Sequence, residues 1–287
     1  ADAEGNELSG SEGIRVPAGD FSAKIMVKVG QLDSKDFPAN KKYAIPLSIT
    51  GASKYSLIPS QRSAVLLLNR SILSSVAKVS GGEGIRIKPA GMHTKAEWTI
   101  QMSAIYSSLT RSNLTTAYLS NGTGGKFYPR ISSPAGIQVK NGRDGDDTWT
   151  QIPLQAGKWL HITYVHKDKK TTVYVNGKVQ KVFENSAITF GENSMIIVGN
   201  SGYRNDYLRE IRLWDKALTE SEINDYLYLP MDPETPHLIS YLPLSKEAGI
   251  KDLKAPADME NVTTKARIEY VENVKFPADE LVIVNQE

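Results

Sequence analysis

The sequence feature that most constrains the fold is a pair of alternating strand patterns joined by Asn176-Gly177. Apolar and polar residues alternate in Thr171–Val175 and again in Lys178–Gln180, which is typical of strands with one buried face. Asn-Gly favours a type I′ turn, because both central positions of that turn have a positive φ. The pattern therefore predicts a tight β-hairpin and, around it, a sheet that accepts both strands.

Short strand patterns recur along the chain, each closed by Gly, Asn or Asp, and they favour an all-β sandwich. The predicted strands are Gly84–Lys88, Trp98–Tyr106, Leu114–Ser120, Ile137–Lys140, Trp159–Lys167, Thr171–Val175, Lys178–Phe183 and Met195–Val198. One short helix is also predicted, because Thr219 and Glu222 form a capping box and Pro230 stops the apolar pattern that follows.

Residues 1–70 show a different strand spacing, and we expect a domain boundary at Asn69–Ser71. In Phe21–Val29 the apolar residues alternate, which predicts a strand whose buried face is formed by Ala23, Ile25, Val27 and Val29. The acidic start of the chain, Ala1–Glu12, is expected to be a flexible lead. Because few strands fit before the boundary, we expect residues 1–70 to be a partial β domain and residues 71–287 to form a β-sandwich.

The composition excludes several classes of protein. The chain has no cysteine, so it has no disulfide framework, thiolate zinc site or cysteine nucleophile. Its 34 basic and 32 acidic residues nearly balance, so nucleic acid is not an expected partner. No apolar run reaches the roughly 18 residues of a membrane span, and no signal-peptide core is present, so we expect no transmembrane segment and a targeting segment that has been removed.

Two phrases around the predicted hairpin resemble the central part of laminin-G-like, concanavalin A-type domains. They are Gly157-Lys-Trp-Leu-His161 and Val173-Tyr-Val-Asn-Gly-Lys178. The family pattern is a glycine-started strand with Trp and His, followed by a Tyr-Val-(Asp/Asn)-Gly hairpin. Ile197–Asn200 and Leu208–Leu218 are similar to later strands of the family, so the resemblance covers about Leu73–Leu229.

This resemblance implies a concanavalin-like jelly roll over residues 71–287, with one short helix after the last long strand. It also implies that Trp98, Trp159 and Trp214 belong to the core rather than to a site. His161 is expected to face the core or a backbone acceptor.

The tail Leu238–Asp252 is similar to the family's opening phrase, here found after the helix. This order, with the strand phrases Val16–Gly19 and Lys42–Thr50, resembles surface lipoproteins of gut Gram-negative anaerobes that harvest glycans. The resemblance implies that residues 1–70 are the end of an immunoglobulin-like domain. It further implies a location in the cell envelope, at the outer-membrane surface or secreted, with a glycan and other envelope proteins as partners.

Concanavalin-type sandwiches include both lectins and glycoside hydrolases, so motifs have to separate the two. The glucanase branch carries Glu-x-Asp-x-x-Glu on one strand, and this chain has no such string. The pairs Glu220/Glu222 and Asp232/Glu234 lie at the helix start and in a Pro-rich loop, where the helix dipole and solvation account for them. The four histidines include no zinc-protease pair at i, i+4. We therefore expect no catalytic residue.

Sugar binding uses aromatic faces with polar side chains nearby, most often in loops. Trp149 is the best candidate, because it follows an acidic loop and belongs to no core phrase of the family. The other candidates are the loop residues Asn200, Tyr203, Arg204 and Asp206 and the tyrosines Tyr118 and Tyr128. Tyr118 and Tyr128 are weaker candidates, since both can pack on the sheet. The alternative, that these loops simply tolerate tyrosine, stays open.

Asp144, Asp146 and Asp147 place three carboxylates in four residues of a Gly-containing loop. Such oxygen ligands suit Ca²⁺, so a structural calcium is the one candidate cofactor. The loop lacks the Glu that closes a calcium hand, and a solvated turn has the same composition. The solvated turn is the favoured interpretation.

The preferred hypothesis is a non-catalytic carbohydrate-binding protein of the cell surface, which captures glycans or mediates adhesion. A protein-interaction or scaffold module of an envelope complex is the alternative from another class. A divergent glycoside hydrolase is the third hypothesis, and it requires paired carboxylates from different strands in one groove.

Overall fold

The computed structural model describes residues 13–30, 37, 43–68, 71–89, 95–110, 113–119, 127–133, 136–141, 148–184, 189–190, 194–200, 202 and 204–285. The chain divides into two compact units, Ala1–Lys41 and Lys42–Glu287. None of the helices in the described ranges is long and apolar enough to cross a membrane.

In the first unit, residues 13–30 contain no strand. Ile25, Val27 and Val29 are exposed, with 51%, 38% and 43% of their surface accessible. The prediction of a strand with a buried face at Phe21–Val29 is therefore wrong. Alternation alone does not make a strand, because an extended segment needs a partner for its backbone groups, and residues 13–30 supply none.

The described part of the second unit contains sixteen strands and one α-helix, α1 (Glu220–Asp225). The strands are β1 (Tyr43–Ser48), β2 (Ser63–Leu68), β3 (Ile72–Ser80), β4 (Ile85–Ile87), β5 (Trp98–Ile105), β6 (Thr115–Tyr118), β7 (Phe127–Ser133), β8 (Gly136–Asn141), β9 (Trp159–Lys167), β10 (Lys170–Val175), β11 (Lys178–Glu184), β12 (Met195–Val198), β13 (Asp206–Trp214), β14 (Leu238–Leu242), β15 (Val262–Thr264) and β16 (Arg267–Phe276).

β1 and β2 form a separate antiparallel sheet of two strands. Its apolar side chains reach solvent, and Val65 and Leu67 are 62% and 76% exposed. An isolated pair of strands is marginal by itself in water. The predicted immunoglobulin-like domain over residues 1–70 stays a prediction.

The other strands form two antiparallel sheets that face each other. The larger has eight strands in the order β11-β10-β9-β5-β13-β3-β16, with β14 also paired to β13. The smaller has six strands in the order β15-β4-β12-β6-β7-β8. Alternate residues of each strand, such as Leu160, Ile162 and Tyr164 of β9, fill the main core between the sheets. This arrangement confirms the predicted all-β sandwich.

A second apolar cluster lies on the outer face of the eight-stranded sheet. Trp214 and Tyr241 of the sheet pack there with Leu218, Ile223 and Met231, which belong to α1 and the segments on either side of it. The predicted capping box is present: Thr219 Oγ1 accepts from Glu222 N at 3.3 Å, and Glu222 Oε2 accepts from Thr219 N at 2.8 Å. The eight-stranded sheet is therefore covered on both faces near its centre.

The predicted hairpin joins β10 and β11, with Val175 paired to Lys178. Asn176 and Gly177 have φ values of 50° and 75°, which confirms a turn with positive φ at both central residues. Asn224 of α1 donates from Nδ2 to the Gly177 carbonyl at 3.3 Å. The hairpin turn thus docks on the helix. Glycine at position 177 allows the positive φ of the turn and leaves room for Asn224.

Replacing Gly177 with Ala tests this docking, with Gly157→Ala as the matched control. Gly157 has a similar φ of 77°, but nothing lies within 4 Å of an added Cβ, whereas a Cβ at Gly177 clashes with Asn224 Oδ1. Both variants lose about 1–2 kcal/mol of unfolding free energy, because the left-handed backbone disfavours Ala. Gly177→Ala loses about 1 kcal/mol more, because Asn224 has to give up its hydrogen bond. Urea denaturation followed by tryptophan fluorescence measures both losses, and equal losses would contradict the docking.

Candidate functional site

The outer face of the eight-stranded sheet holds a buried cluster of charged side chains. A bulge in β13 lies between Arg209 and Arg212, which pair with Ser103 and Gln101 of β5, and Glu210 has a φ of 54°. Arg209, Glu210 and Arg212 are 1%, 5% and 2% exposed. Because the bulge inserts an extra residue, it brings these three charged groups to one face, which regular alternation does not allow.

Glu210 is the acceptor at the centre of this cluster. Arg212 donates to its Oε2 from Nη2 at 2.6 Å and from Nε at 3.2 Å, and the Tyr241 hydroxyl donates to the same oxygen at 3.0 Å. Arg209 lies 3.6 Å from Oε1 and over the Phe276 ring, and burial lowers the pKa of its guanidinium. The charged groups compensate one another inside the fold.

The segment after α1 closes over this cluster. Arg212 donates to the carbonyl oxygens of Tyr226 and Leu229, and Arg209 donates to that of Tyr228 at 3.1 Å. The space left beside Arg212 is only about 10 Å³, which is too small for a sugar ring. The centre of this face is therefore a structural polar core and not an open site.

His161 is buried on the same covered face. Ser103 Oγ and His161 Nδ1 are 2.7 Å apart. Burial lowers the pKa of His161 to about 3, and the positive charges of Arg209 and Arg212 contribute to this shift. His166 points to the main core, stacks on Trp98, and has a pKa lowered to about 4 by burial. The two imidazoles lie on opposite faces of β9 and do not meet.

These two histidines make stability depend on pH. Above about pH 6.5 they are neutral in both folded and unfolded chains. Below that pH the unfolded chain binds protons that the folded protein does not, so the unfolding free energy falls as the pH drops toward the folded pKa values. Each histidine contributes a slope of up to about 1.4 kcal/mol per pH unit. His161→Gln should remove one such contribution between about pH 5 and 6 in urea unfolding. An unchanged slope would contradict the buried neutral imidazole.

An open groove lies at the end of the eight-stranded sheet where β9 begins and β10 ends. Its volume is about 320 Å³. The lining residues come from the segment before β9, from the β10–β11 hairpin and from the chain after β16; they are Pro153, Leu154, Gln155, Lys158, Trp159, Leu160, Val175, Asn176, Gln180 and Asp279.

Backbone contacts hold the walls of the groove together. Trp159 N donates to the Asp279 carbonyl at 2.8 Å, which ties the C-terminal segment to the start of β9. Asn176 accepts from His161 N at 2.8 Å through Oδ1 and donates from Nδ2 to the Trp159 carbonyl at 3.3 Å. The hairpin turn and the C-terminal segment therefore both bind the backbone of Trp159, at the start of β9. Sequence reasoning missed this site, because no local pattern connects Asp279 with Lys158.

Several polar groups of the groove have hydrogen-bonding capacity that the described residues do not use. The Asp279 carboxylate and the Gln155 amide make no hydrogen bond or ion pair there, and Gln180 uses only Nε2, which donates to the Lys178 carbonyl at 3.2 Å. Lys158, in contrast, is paired with Glu280, and this hydrogen bond raises the pKa of Lys158. Trp159 is 2% exposed, so its ring is part of the wall and offers no stacking face. The groove thus presents hydrogen-bonding groups but no aromatic platform.

Trp149 and Tyr118 lie on the six-stranded sheet and are not among the residues that line the groove. Trp149 is half-buried and forms a β-bridge with Gln138 of β8, and its carbonyl accepts from Lys181 Nζ at 2.6 Å. Gln138 in turn pairs with Arg130 of β7, and Arg130 Nε donates to Gln138 Oε1 at 2.7 Å. Tyr118 is half-buried at the end of β6. Tyr128 belongs to β7, and its side chain lies outside the described residues.

The remaining predicted residues divide into three groups. Asp206 is fully buried at the start of β13, where its Oδ1 accepts from Ser107 N at 3.1 Å, which corrects the expectation of an exposed loop carboxylate. Asn200 donates to the Asn113 carbonyl at 3.1 Å, and exposed Arg204 donates to Thr110 Oγ1 at 2.9 Å. The other predicted residues, Tyr203, Asp144, Asp146 and Asp147, lie outside the described residues.

In the described ranges, no group of three or more His, Asp or Glu side chains is placed to hold a metal ion. The predicted calcium site lies at positions that the structure does not describe, and it stays a prediction.

Comparison with known proteins identifies the fold. A laminin-G family model, described as the concanavalin A-like lectin/glucanases superfamily, matches residues 80–224, just over half of the chain. No curated protein matches the sequence significantly. Together with the observed sheets, the family match makes the sandwich a concanavalin-like jelly roll.

Among solved structures, the chain is similar to a candidate carbohydrate binding protein from Bacteroides ovatus, with 19% identity, a TM-score of 0.55, and coverage of 84% of this chain and 71% of that one. It is also similar to Trypanosoma rangeli sialidase, with 16% identity, a TM-score of 0.39, and coverage of 52% and 27%. A pentraxin from Limulus polyphemus has 14% identity, a TM-score of 0.40, and coverage of 69% and 94%. At these identities the likeness to the Bacteroides ovatus protein concerns the fold alone.

Proposed function

The chain belongs to the concanavalin A-like lectin/glucanases superfamily, and we propose that it is a non-catalytic carbohydrate-binding protein whose sugar site is the groove at the end of the eight-stranded sheet. The observation that carries this proposal is the convergence of Gln155, Gln180 and Asp279 on one open space of about 320 Å³. The description of the Bacteroides ovatus protein as a candidate carbohydrate binding protein supports it.

The dimensions and chemistry of the groove fit a short stretch of glycan. Small-molecule sites begin at about 300 Å³, so this groove takes a small ligand of one or two rings. Sugar hydroxyls both donate and accept, and the Gln155 amide and the Asp279 carboxylate offer both kinds of partner. Pro153 and Val175 add apolar surface for the C–H groups of a sugar ring.

The number of carboxylates that line the groove supports binding without bond cleavage. Glycoside hydrolysis generally needs two carboxyl groups across the scissile bond. Of the described residues, Asp279 is the one carboxylate that lines the groove. Asp279 is therefore assigned to ligand binding.

The proposed location is the cell surface, where such a protein captures glycans for uptake or mediates adhesion. This part of the proposal rests on the resemblance of the leading strand phrases and the tail to surface lipoproteins that harvest glycans.

A glycan array with the wild-type protein, a Gln155→Ala/Gln180→Ala double variant and Trp149→Ala tests both the function and the site. We expect the wild type to bind at least one glycan and the double variant to bind it about tenfold more weakly, because each amide lost removes a hydrogen bond. Trp149→Ala should bind like the wild type. Absence of any glycan binding would contradict the function. Loss of binding in Trp149→Ala alone would move the site to the six-stranded sheet.

A protein-interaction module is the second candidate function, and the β1–β2 hairpin favours it. Val65 and Leu67 alternate along β2 and are 62% and 76% exposed, and exposed apolar patches mark interaction surfaces. Envelope proteins retained by the wild type but not by Val65→Lys/Leu67→Lys would support this candidate. Equal retention by both proteins would count against it.

A further inference from the structure

The charges around the groove indicate which class of sugar it takes. We infer that the groove selects neutral sugars over acidic ones: Asp279 accepts hydrogen bonds from a pair of sugar hydroxyls, and Glu280 offsets the charge of Lys158, the one basic residue among the described residues that line the groove. This inference rests on the proposed function.

The backbone of Asp279 is fixed by a hydrogen bond, and its side chain is exposed to solvent. Its carbonyl oxygen accepts from Trp159 N at 2.8 Å, which fixes the residue against the start of β9. Its exposed carboxylate forms no hydrogen bond or ion pair among the described residues. A carboxylate has two oxygens with several lone pairs, so it can accept from two neighbouring hydroxyls of one ring. These charge-assisted bonds are stronger than bonds between neutral groups.

Lys158 is the basic residue that lines the groove, and its charge is already balanced. Its ammonium group is hydrogen-bonded to Glu280, and this contact raises the pKa of Lys158 and lowers that of Glu280. Both groups are therefore charged at neutral pH, and their charges cancel. The charge of Asp279 also contributes to the raised pKa of Lys158, so the three groups together present one net negative charge to a ligand.

An acidic sugar would meet this arrangement unfavourably. Its carboxylate would lie near Asp279, and like charges at short range repel. It would gain little from the Lys158 ammonium, because the Glu280 carboxylate already offsets that positive charge. The remaining free groups, on Gln155 and Gln180, are uncharged amides that suit hydroxyls. Three features thus favour a neutral ligand: the exposed Asp279 carboxylate, the pairing of Lys158 with Glu280, and the two uncharged amides.

Two single substitutions with opposite expected effects test this selectivity. The ligands are neutral oligosaccharides built from glucose, mannose, galactose or xylose, and oligogalacturonate as the acidic probe. Binding is followed by titration calorimetry and by tryptophan fluorescence, since Trp159 lines the groove. The wild type should bind its best neutral ligand at least about tenfold more tightly than oligogalacturonate.

Asp279→Asn keeps the shape of the side chain but removes the charge and one acceptor. We expect affinity for the neutral ligand to fall about tenfold, because bonds to a charged acceptor are lost. Glu280→Gln should retain affinity for the neutral ligand and raise affinity for oligogalacturonate about tenfold, because it frees the Lys158 ammonium.

Glu184→Gln is the matched control for Glu280→Gln. It breaks another exposed ion pair, between Lys170 and Glu184 at 3.0 Å, and changes the net charge by the same amount outside the groove. It should leave both affinities at their wild-type values. Thermal unfolding of each variant verifies that the fold is retained.

The outcomes separate this inference from the proposed function. Three results overturn the inference and leave carbohydrate binding standing: oligogalacturonate bound as tightly as every neutral ligand, Asp279→Asn with wild-type affinity, or an equal rise in oligogalacturonate affinity in Glu280→Gln and Glu184→Gln. Absence of binding to every oligosaccharide overturns both.

Discussion

The closure of the outer face of the eight-stranded sheet depends on the buried ion pair between Glu210 and Arg212. Removing one partner of such a pair commonly costs about 3–5 kcal/mol, because the other charge stays buried. Arg212 uses its remaining donors on the carbonyl oxygens of Tyr226 and Leu229, so the same interaction holds the segment after α1 over the sheet. With the centre of this face sealed, the open space of about 320 Å³ lies at the end of the sheet.

The residues whose hydrogen bonds hold the groove together are not the residues whose side chains are available to a ligand. Asn176 and Trp159 make hydrogen bonds that connect the hairpin, β9 and the C-terminal segment. The side chains of Gln155 and Asp279 make no such connecting hydrogen bonds and are available to a ligand. Rigid strands with adaptable groups at their ends are a common way to position a binding site. This separation explains why the most recognisable residues of the chain are not those assigned to the ligand.

The predictions that were confirmed concern features that interactions between neighbouring residues determine. The Asn176-Gly177 turn and the Thr219–Glu222 capping box each depend on a few consecutive residues, and both are present. Trp98, Trp159 and Trp214 are buried, as the family resemblance implied. The strand at Phe21–Val29 was wrong, because alternation cannot show whether a partner strand exists. Asp206 was misplaced for a similar reason: a polar sequence looks like a loop until the tertiary fold buries it.

The sequence by itself determined the all-β class, the hairpin, the helix start and the family, because these depend on short-range periodicity and turn chemistry. Tertiary structure alone decided where the groove lies. Lys158 and Asp279 are far apart in the chain, and contacts between their segments, such as the hydrogen bond from Trp159 N to the Asp279 carbonyl, bring them together. The bulge at Glu210 also has no signal in the residue pattern, since it arises from the pairing of β13 with β5. Contacts between distant segments are set by how strands pair and pack, and no local pattern encodes them.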